Sequence, residues 1–351
     1  MTKPDLSGPR EIANQNDAAS PDTAIVRLKS LVRADLTAVN DEIVERMASH
    51  VPMIPALAAH LVESGGKRLR PMLTLAAARA CGYDGVDHVR LAAAVEFIHT
   101  ATLLHDDVVD ESVLRRGSAT ANVIWGNQAS VLVGDFLFSR AFELMVDVGD
   151  LKVLQVLSRA SSVIAEGEVM QLAAQKDLSS TLETYLKVVE SKTAALFAAA
   201  AQVGALVALR QDSGQAPEIE AGLRAYGRNL GVAYQLVDDA LDYSGRQASL
   251  GKSVGDDFRE SKMTLPVVLA FARAGDEEKA FWRRAIGEGR QTDSDFDEAV
   301  ALMERHGVIA ETFAYAKRYA SRAKSDLEAL PDGAYRQALL DIADFSVARA
   351  H

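Results

Sequence analysis

Apolar residues recur every three or four positions along most of the chain, which is the spacing of one helix face. The first such series is Ile25, Leu28, Leu31, Leu36, Val39, Ile43 and Met47. The strict apolar–polar alternation of a half-buried strand is absent. Further helices are predicted at about 52–63, 71–81, 88–110, 128–147, 150–175, 180–209 and 217–242, followed by about four or five amphipathic segments. The pattern therefore predicts an all-α fold, a single large helical bundle.

Domain organisation follows from where this pattern begins. Residues 1–22 are rich in Ser, Asp, Asn and Pro, and we predict a disordered tail there. Residues 23–351 show no convincing boundary and are predicted to form one domain. The apolar run Thr193–Leu209 contains Gln202 and is short for a bilayer span, so we predict a buried helix and no transmembrane segment. The same apolar helix is a candidate for a homodimer interface.

Composition excludes several classes of protein. The hydrophobic share of 48% is ample for a substantial core. A net charge of −11 argues against nucleic acid as the main partner, because that partner needs a basic face. The single cysteine, Cys81, cannot form an intrachain disulfide, and residues 1–23 lack the apolar core of a signal peptide. These features favour a cytoplasmic protein.

Two short stretches each place three aspartates at the end of an apolar helical run. They are Asp106, Asp107 and Asp110 in the first aspartate motif, and Asp238, Asp239 and Asp242 in the second. Residues four apart share a helix face, where like charges repel, and the helix dipole further disfavours acidic residues at a C-terminus. Shared divalent cations are the simplest common reason for two matched clusters. Carboxylate oxygens suit Mg²⁺, which completes its shell with water and substrate phosphates.

Basic residues gather near these aspartates along the chain. They are Lys67, Arg68 and Arg70 in a glycine-containing loop, Arg115 and Arg116 after the first motif, and then Lys192, Lys252 and Lys262. Each group alone is equally typical of a solvated surface, but together they describe a site for two polyphosphorylated molecules. No Ser/His/Asp arrangement is present, and Cys81 has no obvious partner for nucleophilic work. The residues favour charge stabilisation of a departing diphosphate between apolar helices that exclude water.

The motifs, taken in order, carry a family resemblance. They are Gly65-Gly66-Lys67-Arg68-Leu69-Arg70-Pro71, the two aspartate motifs, Lys192-Thr193, and Gly255-Asp256-Asp257-Phe258 leading to Lys262-Met263-Thr264-Leu265-Pro266. Over residues 65–266 the chain resembles the trans-polyprenyl diphosphate synthases. The resemblance implies an isoprenoid-synthase bundle with a central cavity, usually homodimeric. Such an enzyme adds isopentenyl diphosphate head-to-tail to an allylic diphosphate.

The resemblance also implies roles for individual residues. The positions that hold Mg²⁺ are matched by Asp106, Asp110, Asp238 and Asp242, and the expected catalytic residues are Asp106, Asp110, Lys192 and Asp238. The positions that bind isopentenyl diphosphate are matched by Lys67, Arg70, His99 and Arg116. Those on the allylic diphosphate side are matched by Arg115, Lys192, Thr193, Gln235, Lys252 and Lys262. One position departs from the family: Ser261 stands where glycine is frequent, so a left-handed backbone there would be strained.

Three alternative functions fit parts of the sequence. A metal-dependent phosphohydrolase of the HD type is suggested by His105-Asp106 with His99 nearby, but it leaves the second aspartate motif unexplained. A di-iron bundle is suggested by Glu96 and His99, but that architecture needs a second Glu-x-x-His pair, which the sequence lacks. A non-catalytic subunit of a heteromeric synthase would be expected to have lost aspartates or basic residues, and this chain keeps them.

Product length is a steric question in this family. The positions four and five residues before the first motif line the tunnel for the growing chain, and here they are the small residues Thr102 and Ala101. The resemblance therefore implies a long product, octaprenyl to decaprenyl diphosphate. Such a product would be made from a primer such as farnesyl diphosphate and would serve as a quinone side chain. Candidates for the tunnel floor are Phe138, Phe142 and Met145, although each alone is more typical of an ordinary core residue.

Replacing Ala101 with tyrosine should shorten the product while activity survives, because a bulky aromatic ring would fill the tunnel. Chromatographic sizing of the extracted product measures the effect. An unchanged product length would remove Ala101 from the tunnel wall.

Overall fold

The structure, a computed structural model, describes residues 21–63, 66–115, 117–210, 216–244 and 255–349, and within these ranges it is built almost wholly of helices. The α-helices are α1 (Pro21–Leu31), α2 (Arg33–Arg46), α3 (Met53–Glu63), α4 (Leu69–Ala80), α5 (Asp87–Val109), α6 (Ala121–Trp125), α7 (Asn127–Val148), α8 (Leu151–Ala174), α9 (Leu182–Val189), α10 (Ala195–Ala208), α11 (Ala216–Asp242), α12 (Asp256–Arg259), α13 (Leu265–Arg273), α14 (Asp276–Trp282), α15 (Asp295–Arg305), α16 (Val308–Ser325) and α17 (Ala334–Ala348). Two π-helical segments, Glu190–Ala194 and Arg283–Gly287, join α9 to α10 and extend α14. The all-α prediction is confirmed.

Two local departures from the predicted elements have simple causes. The predicted first helix divides at Val32, whose φ of −103° and ψ of 18° leave the helical region, although helical hydrogen bonds continue on both sides. The polar loop after the first aspartate motif contains a small antiparallel hairpin, β1 (Leu114–Arg115) and β2 (Ser118–Ala119). Strands of two residues are too short to show an alternating pattern, so the sequence did not predict them.

Helix α10 lies at the centre of the bundle, where it packs against α4, α8 and α11. Glycines allow this close packing: a Cβ on Gly204 would lie 2.4 Å from the carbonyl oxygen of Thr74, and one on Gly227 would lie 2.3 Å from that of Phe197. In the described part of the chain, Leu182–Ala208 is long and apolar enough to cross a membrane, but 72% of its most apolar window is buried. The predicted buried helix is therefore confirmed.

The burial of α10 also corrects one expectation. Its residues from Leu196 to Val207 are mostly buried inside a single chain, so this helix cannot supply the homodimer interface that its composition suggested. The predicted tail, residues 1–22, lies almost entirely outside the described residues, and α1 already begins at Pro21. The single-domain organisation of residues 23–351 stays a prediction.

The packing brings the two aspartate motifs towards one region. The first motif ends α5 and the second ends α11. Between them lies the π-helical segment Glu190–Ala194, which contacts both α8 and α11. A buried apolar cluster beside the second motif includes Tyr185, Leu236 and Leu265.

Candidate active site

In the first aspartate motif, each carboxylate lies beside a basic side chain. Asp106 lies 3.6 Å from Lys192 Nζ, and Asp110 lies 3.1 Å from Lys262 Nζ. Asp107 is buried and accepts two hydrogen bonds from Arg115, of 2.8 and 2.6 Å. The structure therefore brings three predicted allylic-side cations, Arg115, Lys192 and Lys262, onto the first motif.

The π-helical segment places Lys192. A π-bulge inserts an extra residue into a helix and often marks a functional site. Here the segment packs directly on α8, because Gly167 has no side chain: a Cβ there would lie 2.7 Å from the Lys192 backbone nitrogen. Lys192 donates to Glu168 at 2.6 Å, and the adjacent Thr193 donates to Gln235 Oε1 at 2.9 Å. The π-helical segment therefore contacts residues beside both aspartate motifs.

Burial shifts the pKa values of the charged side chains around the first motif. Burial raises the pKa of Asp106, Lys192 opposes this rise, and the negative charge of Asp110 adds to it. Burial likewise raises the pKa of Glu168, with the charge of Asp106 adding to it. Burial alone would lower the pKa of Lys262, but the surrounding carboxylates outweigh it and hold that pKa well above its usual value. The region carries more negative charge than its lysines neutralise.

The second aspartate motif is more deeply buried. Asp239 accepts hydrogen bonds from Tyr185 (2.6 Å) and from Gln235 Nε2 (2.7 Å). Burial raises its pKa to about 7, and the charge of Asp257 adds to that effect. Asp238 lies 2.5 Å from Arg349, at the end of α17, and this guanidinium also stacks on the ring of Tyr234 at 4.3 Å. Tyr185, Glu168 and Arg349 were not predicted as site residues.

A short segment joins the two motifs. Asp242 is buried, and its two carboxylate oxygens accept from the backbone N–H groups of Gly255 (3.2 Å) and Asp257 (3.0 Å). Further along the same segment, Lys262 donates to Asp110 of the first motif, and its backbone N–H bonds to the Asp257 carbonyl at 2.9 Å. The C-terminal ends of α5 and α11 therefore border one space.

A cleft of about 560 Å³, including the part open to solvent, lies in this space. Its lining includes Asp110, Glu168, Lys262 and Tyr185. Tyr185 connects this lining to the second motif through its hydrogen bond to Asp239. The cleft is polar at Asp110, Glu168 and Lys262 and apolar at Val109, Leu172, Val188 and Met263.

The donor set suits a hard divalent cation. In the described ranges, no three Asp, Glu, His or Cys side chains are already grouped as metal ligands, since lysine, arginine or backbone N–H groups lie against the motif carboxylates. Burial raises the pKa values of Asp106 and Glu168, and neighbouring carboxylates add to the rise: Asp110 for Asp106, and Asp106 for Glu168. A bound cation with oxygen ligands would relieve that repulsion.

The basic loop lies against α5 and α10. Arg70 Nη1 is 3.1 Å from His99 Nε2, and its guanidinium stacks on Phe197 at 4.4 Å. Lys67 Nζ lies 5.0 Å from the centre of the Phe345 ring. The structure thus brings together two of the four residues predicted for isopentenyl diphosphate, Arg70 and His99, and places Lys67 beside α17. The fourth, Arg116, lies outside the described residues, as does Lys252 of the allylic set.

Ser261 has the left-handed backbone that the sequence comparison with glycine suggested, with φ of 54°. It is buried, and its conformation is held from two sides. Its carbonyl accepts from Lys176 N–H (3.3 Å), and its hydroxyl accepts from Gln291 Nε2 (3.3 Å). A non-glycine residue in this region is under strain, and such strain persists where surrounding contacts impose it. The strain lies directly before Lys262.

The predicted chain-length residues lie on α5. Ala101 is fully buried, and the hydroxyl of Thr102 donates to the His99 carbonyl at 2.7 Å. On α7, Met145 is buried, whereas Phe142 is 42% exposed and therefore is neither a tunnel floor nor a core residue within a single chain. Phe138 is partly buried and stacks on His105 at 6.0 Å. A role of Ala101 and Thr102 in product length stays a prediction.

Taken together, an all-α bundle in which one short segment, 255–262, contacts the aspartate-bearing ends of both α5 and α11 is typical of the isoprenoid synthase class, and solved structures share this fold. A polyprenyl synthase from Caulobacter crescentus CB15, complexed with calcium and isoprenyl diphosphate, superposes with a TM-score of 0.89 at 53% identity, covering 93% of this chain and 98% of that one. A decaprenyl diphosphate synthase from Rhodobacter capsulatus gives 0.88 at 52% identity, covering 93% and 99%.

Sequence relatives identify the family. The octaprenyl diphosphate synthase of Escherichia coli (strain K12) is 48% identical over 325 residues, 92% of this chain and 98% of that protein. The profile of the polyprenyl synthetase family matches residues 51–303. The chain belongs to the polyprenyl synthetase family and is a prenyltransferase.

Replacing Asp239 with asparagine should change how stability depends on pH. The pKa of about 7 in the folded protein lies above the unfolded value near 3.8, so the folded state binds the proton more tightly. The stability that this proton gives to the folded state is fully present below the unfolded pKa and is lost as pH rises through about 7. Relative to Asp239→Asn, the wild type should lose on the order of 2–4 kcal/mol of unfolding free energy between about pH 5 and 8.

Urea denaturation in the presence of a metal chelator measures this difference. Asp84→Asn, at an exposed position in the turn between α4 and α5, is the matched control and should follow the wild type at every pH. Parallel pH profiles for wild type and Asp239→Asn would show that Asp239 is ionised in the folded protein.

Proposed function

We propose that the chain adds isopentenyl diphosphate to an allylic diphosphate, with farnesyl diphosphate as primer, and makes an all-trans octaprenyl to decaprenyl diphosphate for a quinone side chain. The proposal rests on one observation: the segment 255–262 contacts both Asp242 of the second motif and Asp110 of the first, so that the two motifs lie at the two ends of one short segment. Relatives named as octaprenyl and decaprenyl diphosphate synthases support a long product.

Mg²⁺ is the proposed cofactor. Asp106, Asp110 and Asp238 would hold it, and the buried Asp242, whose carboxylate oxygens each keep a further lone pair, belongs to the same proposed set. Bound Mg²⁺ supplies Lewis-acid stabilisation of the departing diphosphate. Asp239, with its pKa raised to about 7, is suited to holding Tyr185 and Gln235 rather than a cation.

The protein's own residues would carry out the remaining steps. Lys192, Lys262 and Arg115 lie at the first motif, where they would bind the allylic diphosphate after exchanging aspartate contacts for phosphate contacts. The C–O bond to diphosphate breaks and leaves an allylic carbocation. The double bond of isopentenyl diphosphate attacks it, a C–C bond forms, and the released diphosphate accepts the proton lost from the neighbouring carbon. The hydroxyl of Thr193 and the amide of Gln235 supply dipoles near the cation.

The alternative functions gain no support from the geometry. His105 faces α7, where its Nε2 lies 3.2 Å from the Val131 carbonyl and 3.5 Å from Asp135. This position does not serve a histidine–aspartate metal site of the phosphohydrolase type. The described motif aspartates and cations remain in place, which favours an active enzyme over a non-catalytic subunit.

The proposed assembly is a homodimer in the cytoplasm, formed through α7. One face of α7 exposes a stripe of apolar side chains: Val131 (38%), Leu132 (67%), Phe142 (42%) and Val146 (63%). Exposed apolar side chains gathered on one helix face, here with the exposed Asp135 and Ser139 among them, are typical of a protein interface. In such a dimer the partner chain would cover Phe142, which a single chain leaves exposed.

Replacing Leu132 with glutamate should weaken dimerisation, since each interface would then bury unpaired carboxylates. Sedimentation equilibrium should show twice the chain mass of 37.7 kDa for the wild type and a dissociation constant about a hundredfold higher for the variant. Val26→Glu, an equally exposed apolar position on α1, should leave association unchanged. A wild type that sediments as a monomer would contradict the proposed interface.

The purified chain alone, given labelled isopentenyl diphosphate, farnesyl diphosphate and Mg²⁺, should make a butanol-extractable octaprenyl to decaprenyl product. Asp106→Asn and Asp238→Asn should each lower kcat by at least about a hundredfold, because each removes charge that acts on the departing diphosphate. Asp293→Asn, an exposed carboxylate elsewhere, is the control. Release of phosphate without chain growth would indicate a hydrolase, and no product from the chain alone would indicate a subunit.

A further inference from the structure

Glu96 is a buried carboxylate that the reaction described above does not use. It lies on α5 with 8% of its surface exposed. Its partner is Arg68 of the basic loop, with which it forms a part-buried ion pair through Nη1 and Oε1. Removing a buried carboxylate from water is costly, so its presence here calls for a specific partner or task.

Arg68 itself has an unusual backbone. Its φ of 49° and ψ of 33° place it in the left-handed region, which residues with a Cβ seldom adopt. It directly precedes α4, and it stands between two of the residues predicted for isopentenyl diphosphate, Lys67 and Arg70. Strained conformations of this kind persist at binding sites when surrounding contacts impose them. The ion pair to Glu96 is such a contact.

The face of α5 that carries Glu96 also carries His99, one turn later. Residues three apart share a helix face. His99 lies 3.1 Å from Arg70, so the two α5 side chains contact two arginines at the start of α4. Leu69, between those arginines, is buried in the main core. One face of α5 therefore contacts the arginine that precedes α4 and the arginine in its first turn.

We propose that Glu96 is a positioning residue for the isopentenyl diphosphate site, acting through Arg68. The ion pair holds the left-handed turn and turns the Arg68 guanidinium towards α5, which sets the positions of Lys67 and Arg70. The inference rests on the proposed function, since the ligand of Lys67 and Arg70 is the isopentenyl diphosphate proposed there. Glu96 contacts no substrate itself.

Glu96→Gln tests this role, because it keeps the shape of the side chain and removes its charge. The KM for isopentenyl diphosphate should rise about tenfold, the effect of losing one charge-assisted hydrogen bond. The KM for farnesyl diphosphate should change less than about twofold. Calorimetric titration with isopentenyl diphosphate should show the same loss of affinity without turnover.

Arg68→Gln is a second test of the same interaction, and it remains informative if Glu96→Gln folds poorly. It should raise the same KM by a similar factor, and the double variant should be no worse than either single variant, because both remove one interaction. Asp295→Asn is the matched control. It removes another buried carboxylate that pairs with an arginine, Arg284, so it should lower thermal stability without changing either KM.

Two results would overturn the inference. One is an unchanged KM for isopentenyl diphosphate in Arg68→Gln or in a folded Glu96→Gln. The other is an equal rise in both KM values with a fall in thermal stability, which would mark a general structural role. A wild-type chain that makes no prenyl product would instead contradict the proposed function, and the calorimetric titration separates the two cases.

Discussion

The cost of burying carboxylates at the ends of α5 and α11 shapes everything else in this site. Burial raises the pKa of Asp106, with the charge of Asp110 adding to the rise, and burial raises the pKa of Glu168, with the charge of Asp106 adding to it. Burial also raises the pKa of Asp239 to about 7. A fold that only needed stability would place leucine or alanine at such helix ends. The cost is understandable if the negative charge exists for a cationic ligand.

The protein itself supplies counter-ions for this charge. Lysine or arginine side chains hold Asp106, Asp107, Asp110 and Asp238, and backbone N–H groups hold Asp242. In the proposed reaction, binding of metal and diphosphate would be an exchange: the aspartates would pass from ammonium and guanidinium groups to the metal, and those groups would pass to phosphate oxygens. The exchange preserves charge balance, so neither set of residues is left buried and unpaired.

Much of this could be predicted from the sequence because it depends on local spacing. Periodic apolar residues indicated the helices, and the two aspartate motifs do end α5 and α11. The metal site that their spacing indicated stays a prediction. The strain at Ser261 was also predictable, because a known glycine position fixes the backbone that a serine must adopt there.

Contacts between distant segments could not be predicted in this way. The pairing of Asp238 with Arg349, and of Asp239 with Tyr185, depends on how α11 packs against α17 and α9. The π-helical segment that aims Lys192 has no spacing signal, since its neighbours continue as ordinary helix. The apolar composition of α10 correctly indicated burial but not where the exposed apolar face lies, because composition does not distinguish a core from an interface. That face is on α7, where Leu132 and Val146 are exposed.

A crystal structure with Mg²⁺ and an unreactive thio-analogue of farnesyl diphosphate would show whether both aspartate motifs bind the same metal–diphosphate group. We expect metal ions about 2.1 Å from oxygens of both Asp106 and Asp238, bridged by one diphosphate, with Lys192 and Lys262 moved from the aspartates to phosphate oxygens. Metal at only one of the two motifs, or a diphosphate bound away from both, would contradict it.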